Sequence, residues 1–182
     1  YQWPWACKQD PVVPCFLVNT QRILLLIRRK NTKGTSMLAD SLKILLASNF
    51  AYYIKAHGFH WNVEGPDFGE LHDFFQAIYE DAYSALDPTA EYIRYLGEYS
   101  PASLERFTEL TQIAGQTKIP RARLMLEELH ANNDQMIDIL NSCFAEANND
   151  NQQGIANFIA ERLSQHGKYR WQLTSYLKVE RA

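Results

Sequence analysis

From Leu38 onward, apolar residues return every three or four positions and never alternate, which restricts this part of the chain to helices. Leu38, Leu42, Leu45, Leu46, Phe50, Tyr53, Ile54 and His57 fall on one stripe of a helix with 3.6 residues per turn, predicting an amphipathic helix over about 38–61. Gly65-Pro66 stops it. A second helix is expected over about 68–96, ending at Gly97, because glycine accepts the left-handed conformation that closes a helix. Ser100-Pro101 predicts a short helical connection, with Ser100 as cap and Pro101 in the first turn. A third helix is expected over about 121–146, with Leu124, Leu126, Met136, Ile137 and Leu140 facing a core rather than a cofactor. The polar link 147–153 then leads into a fourth over about 154–178. Four helices with one longer connection between the second and third describe an all-α bundle with one crossover. No internal repeat points to a solenoid.

The first 36 residues read differently. Trp3-Pro4-Trp5, Pro11 and Pro14 interrupt any period, and Asn31 to Ser36 is a polar run. Lys8, Arg22, Arg28, Arg29, Lys30 and Lys33 face only Asp10 there, whereas the remainder holds twelve Lys and Arg against twenty Asp and Glu. We therefore divide the chain into an atypical basic segment, 1–36, and a domain, 37–182. Met37 is read as the biological first residue, with Lys33-Gly34 encodable by a purine-rich ribosome-binding stretch. Two other readings of the segment are a basic tail that holds DNA through phosphate contacts and a targeting signal. The targeting reading is the weaker one, since Ile23 to Ile27 is short and is followed by more basic residues.

The 182-residue length suits one domain. Ile23 to Ile27, the longest apolar stretch, falls far short of the roughly 20 residues that cross a bilayer, so no membrane partner is expected. Cys7, Cys15 and Cys143 are scattered and odd in number, which argues against a disulfide framework or a zinc ribbon and fits a reducing cytoplasm. The acidic balance beyond residue 36 makes DNA binding by the domain itself an unfavoured reading. Any DNA contact is expected from the basic N-terminal segment.

Chemistry-bearing residues concentrate between His57 and Glu91. Asp87 and Glu91 are four apart and share a helix face, with Cβ atoms about 5 to 6 Å apart, a pairing able to clamp a metal. Oxygen and imidazole ligands with open positions suit redox-active iron better than structural zinc. His72 and Asp87, fifteen residues apart, are separated by about 22 Å along a helix rising 1.5 Å per residue. They cannot hold one ion within one chain. A second copy packed antiparallel across a twofold axis near residues 79 and 80 would set His72 of one opposite Asp87 of the other, so a site using both is built by two copies.

The stretch 55–97 resembles the Dps family, the DNA-binding proteins from starved cells. It carries A-H-G-F-H-W-N-V-E-G-P at 56–66, L-H at 71–72 and D-x-x-A-E-x-I-R-x-L-G at 87–97. The likeness continues more weakly through Glu161-Arg-Leu to His166 and Trp171. It implies a ferritin-like four-helix bundle with a short extra helix between the second and third helices. It also implies Asp87 and Glu91 as iron ligands from one subunit, and His60 and His72 from its twofold mate. Trp61 would then stand beside the iron as an electron donor. The family further implies a twelve-subunit shell that oxidises ferrous iron with hydrogen peroxide, stores the ferric mineral and limits oxidative damage. No haem is expected.

Two positions depart from the family's pattern. Its acidic residue four after the second histidine is here Gln76, a poorer ligand for a hard cation, so a second iron position is expected to be weak or empty. Pro88 follows Asp87 inside a helix, where it removes a hydrogen bond and clashes with the carbonyl of Ser84; a local kink is expected. These departures motivate an alternative function, a shell-forming or DNA-compacting protein with vestigial oxidation chemistry. Glu127-x-x-His130 matches half of a di-iron motif that needs two copies, so His130, like His57 and His166, reads as structural.

Overall fold

The first turn of α1 sets the register of the bundle: Leu38, Leu42, Leu45 and Leu46 are all buried, and the stripe continues through Asn49, Tyr52, Ala56 and Phe59. This computed structural model describes residues 36–178, all within a unit spanning Ser36–Ala182. The readings of the N-terminal segment lie outside the described residues. Helix α1 covers Met37–Asn62, close to the expected span. The expected stripe drifts from the buried one after Leu46, however. Phe50, Tyr53 and His57 are only half-buried and Ile54 is 50% exposed, because the core face passes through the polar Asn49 and Tyr52.

Beyond the Gly65-Pro66 turn, where Gly65 adopts φ +119°, the expected second helix is two segments. Helix α2 covers Phe68–Ser84 and α3 covers Leu86–Tyr95, with Ala85 between them. The break lies three residues before Pro88, one turn toward the N-terminus, because the missing proline N–H leaves its gap at the carbonyl of Ser84. Gly97 closes α3 as expected: its φ is +86°. Its N–H bonds Arg94 O at 3.0 Å and that of Glu98 bonds Ile93 O at 3.2 Å, the paired bonds of a Schellman motif.

The short connecting helix α4, Leu104–Leu110, starts later than expected. Ser103, not Ser100, is its cap and accepts a bond from Arg106 N. Ser100 spends its hydroxyl on the carbonyl of Ala90 at 2.6 Å instead. Helices α5, Ala122–Asn149, and α6, Gln153–Leu177, complete the bundle. Asn151, at φ 57°, turns the chain between them, since asparagine tolerates the left-handed region. Helix α1 packs against α2, α3, α4 and α5, and α5 against α6. Among the described residues the fold is all-α, a four-helix bundle with the short helix α4 in its crossover.

A polar layer crosses the core. Arg162 of α6 makes a two-bond pair with Asp81 of α2, one bond being Nη1 to Oδ1 at 2.8 Å. His166 and Asn133 bond each other twice, His166 Nδ1 to Asn133 Oδ1 at 2.8 Å and Asn133 Nδ2 to His166 O at 2.9 Å. Burial, then the Arg162 charge, pushes the His166 pKa down to about 3. Above pH 6.5 the imidazole is neutral whether folded or not, so its full contribution is present there. As pH falls from 6.5 toward about 3, the unfolded chain takes a proton that the folded one refuses, and stability is lost. Denaturant titrations are expected to show a loss of about 2 kcal/mol from this residue between pH 6.5 and 5, absent in His166→Gln.

Candidate metal centre

His60 lies in the last turn of α1 and His72 in the second turn of α2, and the turn at Gly65-Pro66 folds the two helices back on each other. The rings stack with centroids 3.7 Å apart and planes at 23°. His60 Nδ1 bonds the carbonyl of His72 at 2.8 Å, and His72 Nδ1 bonds the carbonyl of His60 at 2.8 Å. A carbonyl only accepts, so each Nδ1 carries a proton, and the ring nitrogen left to meet a metal is Nε2 in each. Backbone partners thus fix tautomer and orientation, as they do for metal-ligating histidines. The arrangement is two imidazoles held side by side.

An aromatic face surrounds this pair. His57 stacks on Tyr79 with centroids 3.9 Å apart, lies 4.1 Å from the Trp61 ring, and its Nδ1 meets Tyr53 Oη at 3.3 Å. Burial, and then the neighbouring His60, hold the His57 pKa below its ordinary value. Trp61 is 67% exposed and touches His57 rather than the paired imidazoles. The Tyr79 ring meets His60 edge-on at 5.1 Å.

Gln76, one turn beyond His72, donates from Nε2 to Glu80 Oε1 at 2.7 Å. Asp87 and Glu91 are both exposed on α3. The ion pairs among the described residues leave both carboxylates unpaired. They are not brought to the imidazoles, and among the described residues no three histidine, cysteine or acidic side chains converge on one point. Within one chain the pair of imidazoles and the pair of carboxylates therefore stand apart.

His130 bonds Thr174 Oγ1 at 3.0 Å and Glu127 pairs with Arg123 at 3.1 Å, so each side chain of the Glu-x-x-His motif has a partner of its own. Sequence reasoning passed over the Arg162–Asp81 pair and Asn49. The available signal for Asn49 was a polar residue in the helical register of Leu38, Leu42 and Leu45.

The family model described as a ferritin-like domain matches residues 39–182. The low temperature-induced protein all0458 of Nostoc sp. is 30% identical over 135 residues, covering 73% of this chain and 75% of that protein. DNA protection during starvation protein 2 of Bacillus anthracis is 26% identical over 125 residues, covering 69% of this chain and 86% of that protein. The crystal structure of the DPS protein from Vibrio cholerae O1, described as a member of a broad superfamily of ferritin-like diiron-carboxylate proteins, superposes with a TM-score of 0.75. It is 27% identical, and the match covers 78% of this chain and 89% of that one.

Proposed function

The chain belongs to the ferritin-like family and, within it, to the Dps proteins, and from that premise we propose that it binds ferrous iron between two copies of itself and oxidises it with hydrogen peroxide. The observation that carries this reading is the His60–His72 pair, whose reciprocal backbone bonds leave two Nε2 donors free. Free carboxylates at Asp87 and Glu91 supply the complement. Across a twofold axis near residues 79 and 80, the imidazoles of one copy face the carboxylates of the other. The exposed apolar side chains Ile54, Trp61, Phe68 and Tyr83 lie on the same two helices and are suited to burial against that second copy. A shell of twelve copies built from such pairs is the assembly we infer, with the ferric product stored inside.

The division of ligands suits the chemistry. Two anionic carboxylates are hard oxygen donors that favour ferric over ferrous iron, while the neutral imidazoles bind ferrous iron without adding charge. Each ferrous ion gives up one electron. Two of them reduce one hydrogen peroxide, its O–O bond breaks, two protons are taken up, and two waters form. Where one ferrous ion occupies a site, Trp61, its ring 4.1 Å from that of His57, is assigned as the donor of the second electron that the peroxide needs.

Gln76 makes the second position the weak one, because the oxygen of its amide, whose Nε2 donates to Glu80, is neutral and a poorer donor to a hard cation than a carboxylate. Anaerobic ferrous titration is expected to give one tight ion per site, and Gln76→Asp two. Stoichiometric peroxide should then oxidise the bound iron. An unaltered ion count in Gln76→Asp contradicts this ligand assignment, and failure of bound iron to react with peroxide favours a shell whose oxidation chemistry is vestigial.

A further inference from the structure

Asn49 occupies a core position of α1, between Leu45 and Tyr52, and is 3% exposed. Its Nδ2 donates to the carbonyl of Ala82 at 2.7 Å, while its Oδ1 is buried with no hydrogen-bond partner. A buried, half-satisfied amide destabilises a fold relative to an apolar side chain of similar size. Leucine would suit this stripe better, so the one bond that Asn49 makes becomes the feature to explain.

That bond falls at the break between α2 and α3. There the Ala85 N–H reaches Ala82 O at 3.3 Å and the Thr89 N–H reaches Ala85 O at 3.3 Å, both at the long end of the hydrogen-bond range. Pro88 has no N–H to give Ser84. Thr89 Oγ1 adds a bond to Ala85 O at 2.7 Å. A cavity of about 10 Å³ lies under the break, lined by Asn49, Ala85, Thr89, Arg162 and His166 among others, so the packing that holds α3 lies beyond it, at Ile93. The Asn49 bond to Ala82 is a short one to the backbone, next to the Arg162–Asp81 side-chain pair. It ties the break to α1, the helix that also carries His60 eleven residues further on.

We propose that Asn49 is a positioning residue for the metal site: by pinning the carbonyl of Ala82 it fixes the direction in which α3 leaves the break and presents Asp87 and Glu91. This rests on the reading of those carboxylates as ligands given above. Asn49 touches no reacting atom. It acts through the backbone, and its unsatisfied Oδ1 is the stability cost of that function.

The test uses the assembled protein, cobalt(II) as the probe, and its visible absorption and calorimetric affinity as readouts. Asn49→Leu is expected to weaken cobalt binding about 10-fold, the scale of losing an outer support of a ligand, and to change its spectrum while leaving the thermal midpoint unchanged or higher. In a Pro88→Ala background, where an N–H at 88 restores a continuous helix, the same substitution is expected to change the affinity less than twofold. Asn49→Ala, which deletes the amide without adding bulk, repeats the comparison if the leucine variant does not fold. Wild-type cobalt affinity in the Asn49 variants overturns the proposal, as does an equal loss in both backgrounds. Asp87→Ala separates the two readings. If it binds cobalt as the wild type does, the ligand assignment fails and the proposal with it; if it loses cobalt while Asn49→Leu does not, only the proposal fails.

Discussion

With Asp87 replaced by alanine, peroxide-driven oxidation of ferrous iron is expected to slow about 100-fold or more, and the same loss is expected for His60→Ala, since supporting groups alone are worth 10- to 100-fold at metal sites. The two losses have different origins. Asp87 is exposed on α3 and unpaired, so its removal costs the fold little and deletes one anionic oxygen ligand. His60 is buried, and its Nδ1–H holds the His72 carbonyl at 2.8 Å. Its removal therefore deletes one donor and loosens the second, because the two rings are stacked at 3.7 Å and brace each other. Stopped-flow oxidation measured beside thermal unfolding separates these effects. Asp87→Ala is expected to keep the wild-type midpoint, whereas His60→Ala lowers it. Oxidation at the wild-type rate in either variant contradicts the site.

The largest effect on stability is expected at Asp81. Its carboxylate takes two bonds from Arg162, and both side chains are largely withdrawn from water, at 23% and 12% exposed. Asp81→Ala leaves a guanidinium inside the bundle without its counter-charge, a change that costs about 3 to 5 kcal/mol. The lower end applies here, given the residual exposure. Against the total stability of about 5 to 15 kcal/mol of a typical domain, that loss is severe, and urea titration reads it directly. Replacing both partners with apolar residues, as in Asp81→Leu with Arg162→Met, is expected to recover most of it, because the desolvation penalty leaves with the charges. A loss below about 1 kcal/mol in Asp81→Ala is the value of an exposed pair and contradicts the burial argument.

How far the sequence reaches differs between these features. The helical spans follow from local rules, with the expected second one divided at Ala85, and Gly97 and the Gly65-Pro66 turn sit where glycine and proline chemistry puts them. The kink from Pro88 is legible too, and so is its place beside Ser84, because a proline acts on the carbonyl a turn before it. The start of the connecting helix misleads for a tertiary reason. Ser100-Pro101 reads as a cap and first turn, yet the Ser100 hydroxyl is drawn to Ala90 O across the chain reversal.

The site divides along the same line. Its residues are legible because their spacing carries a family's pattern, and the helix rise separates His72 from Asp87 by about 22 Å. The hydrogen bonds that make His60 and His72 a donor pair depend on the antiparallel approach of α1 and α2, which no local pattern states. Asn49 was hidden for the opposite reason. A single polar residue inside an apolar stripe reads as noise until its partner, a backbone carbonyl 33 residues away, is in view.

That iron is held between two chains is tested most directly by mixing two inactive variants. His60→Ala and Asp87→Ala subunits, dissociated and reassembled together, form pairs in which one of the two sites takes its histidines from the Asp87→Ala chain and its carboxylates from the His60→Ala chain, and is intact. Random pairing makes such mixed pairs about half of the total, so about a quarter of the wild-type oxidation rate is expected to return. A mixture that assembles fully and stays as inactive as its two components places the whole site within one chain and contradicts the account.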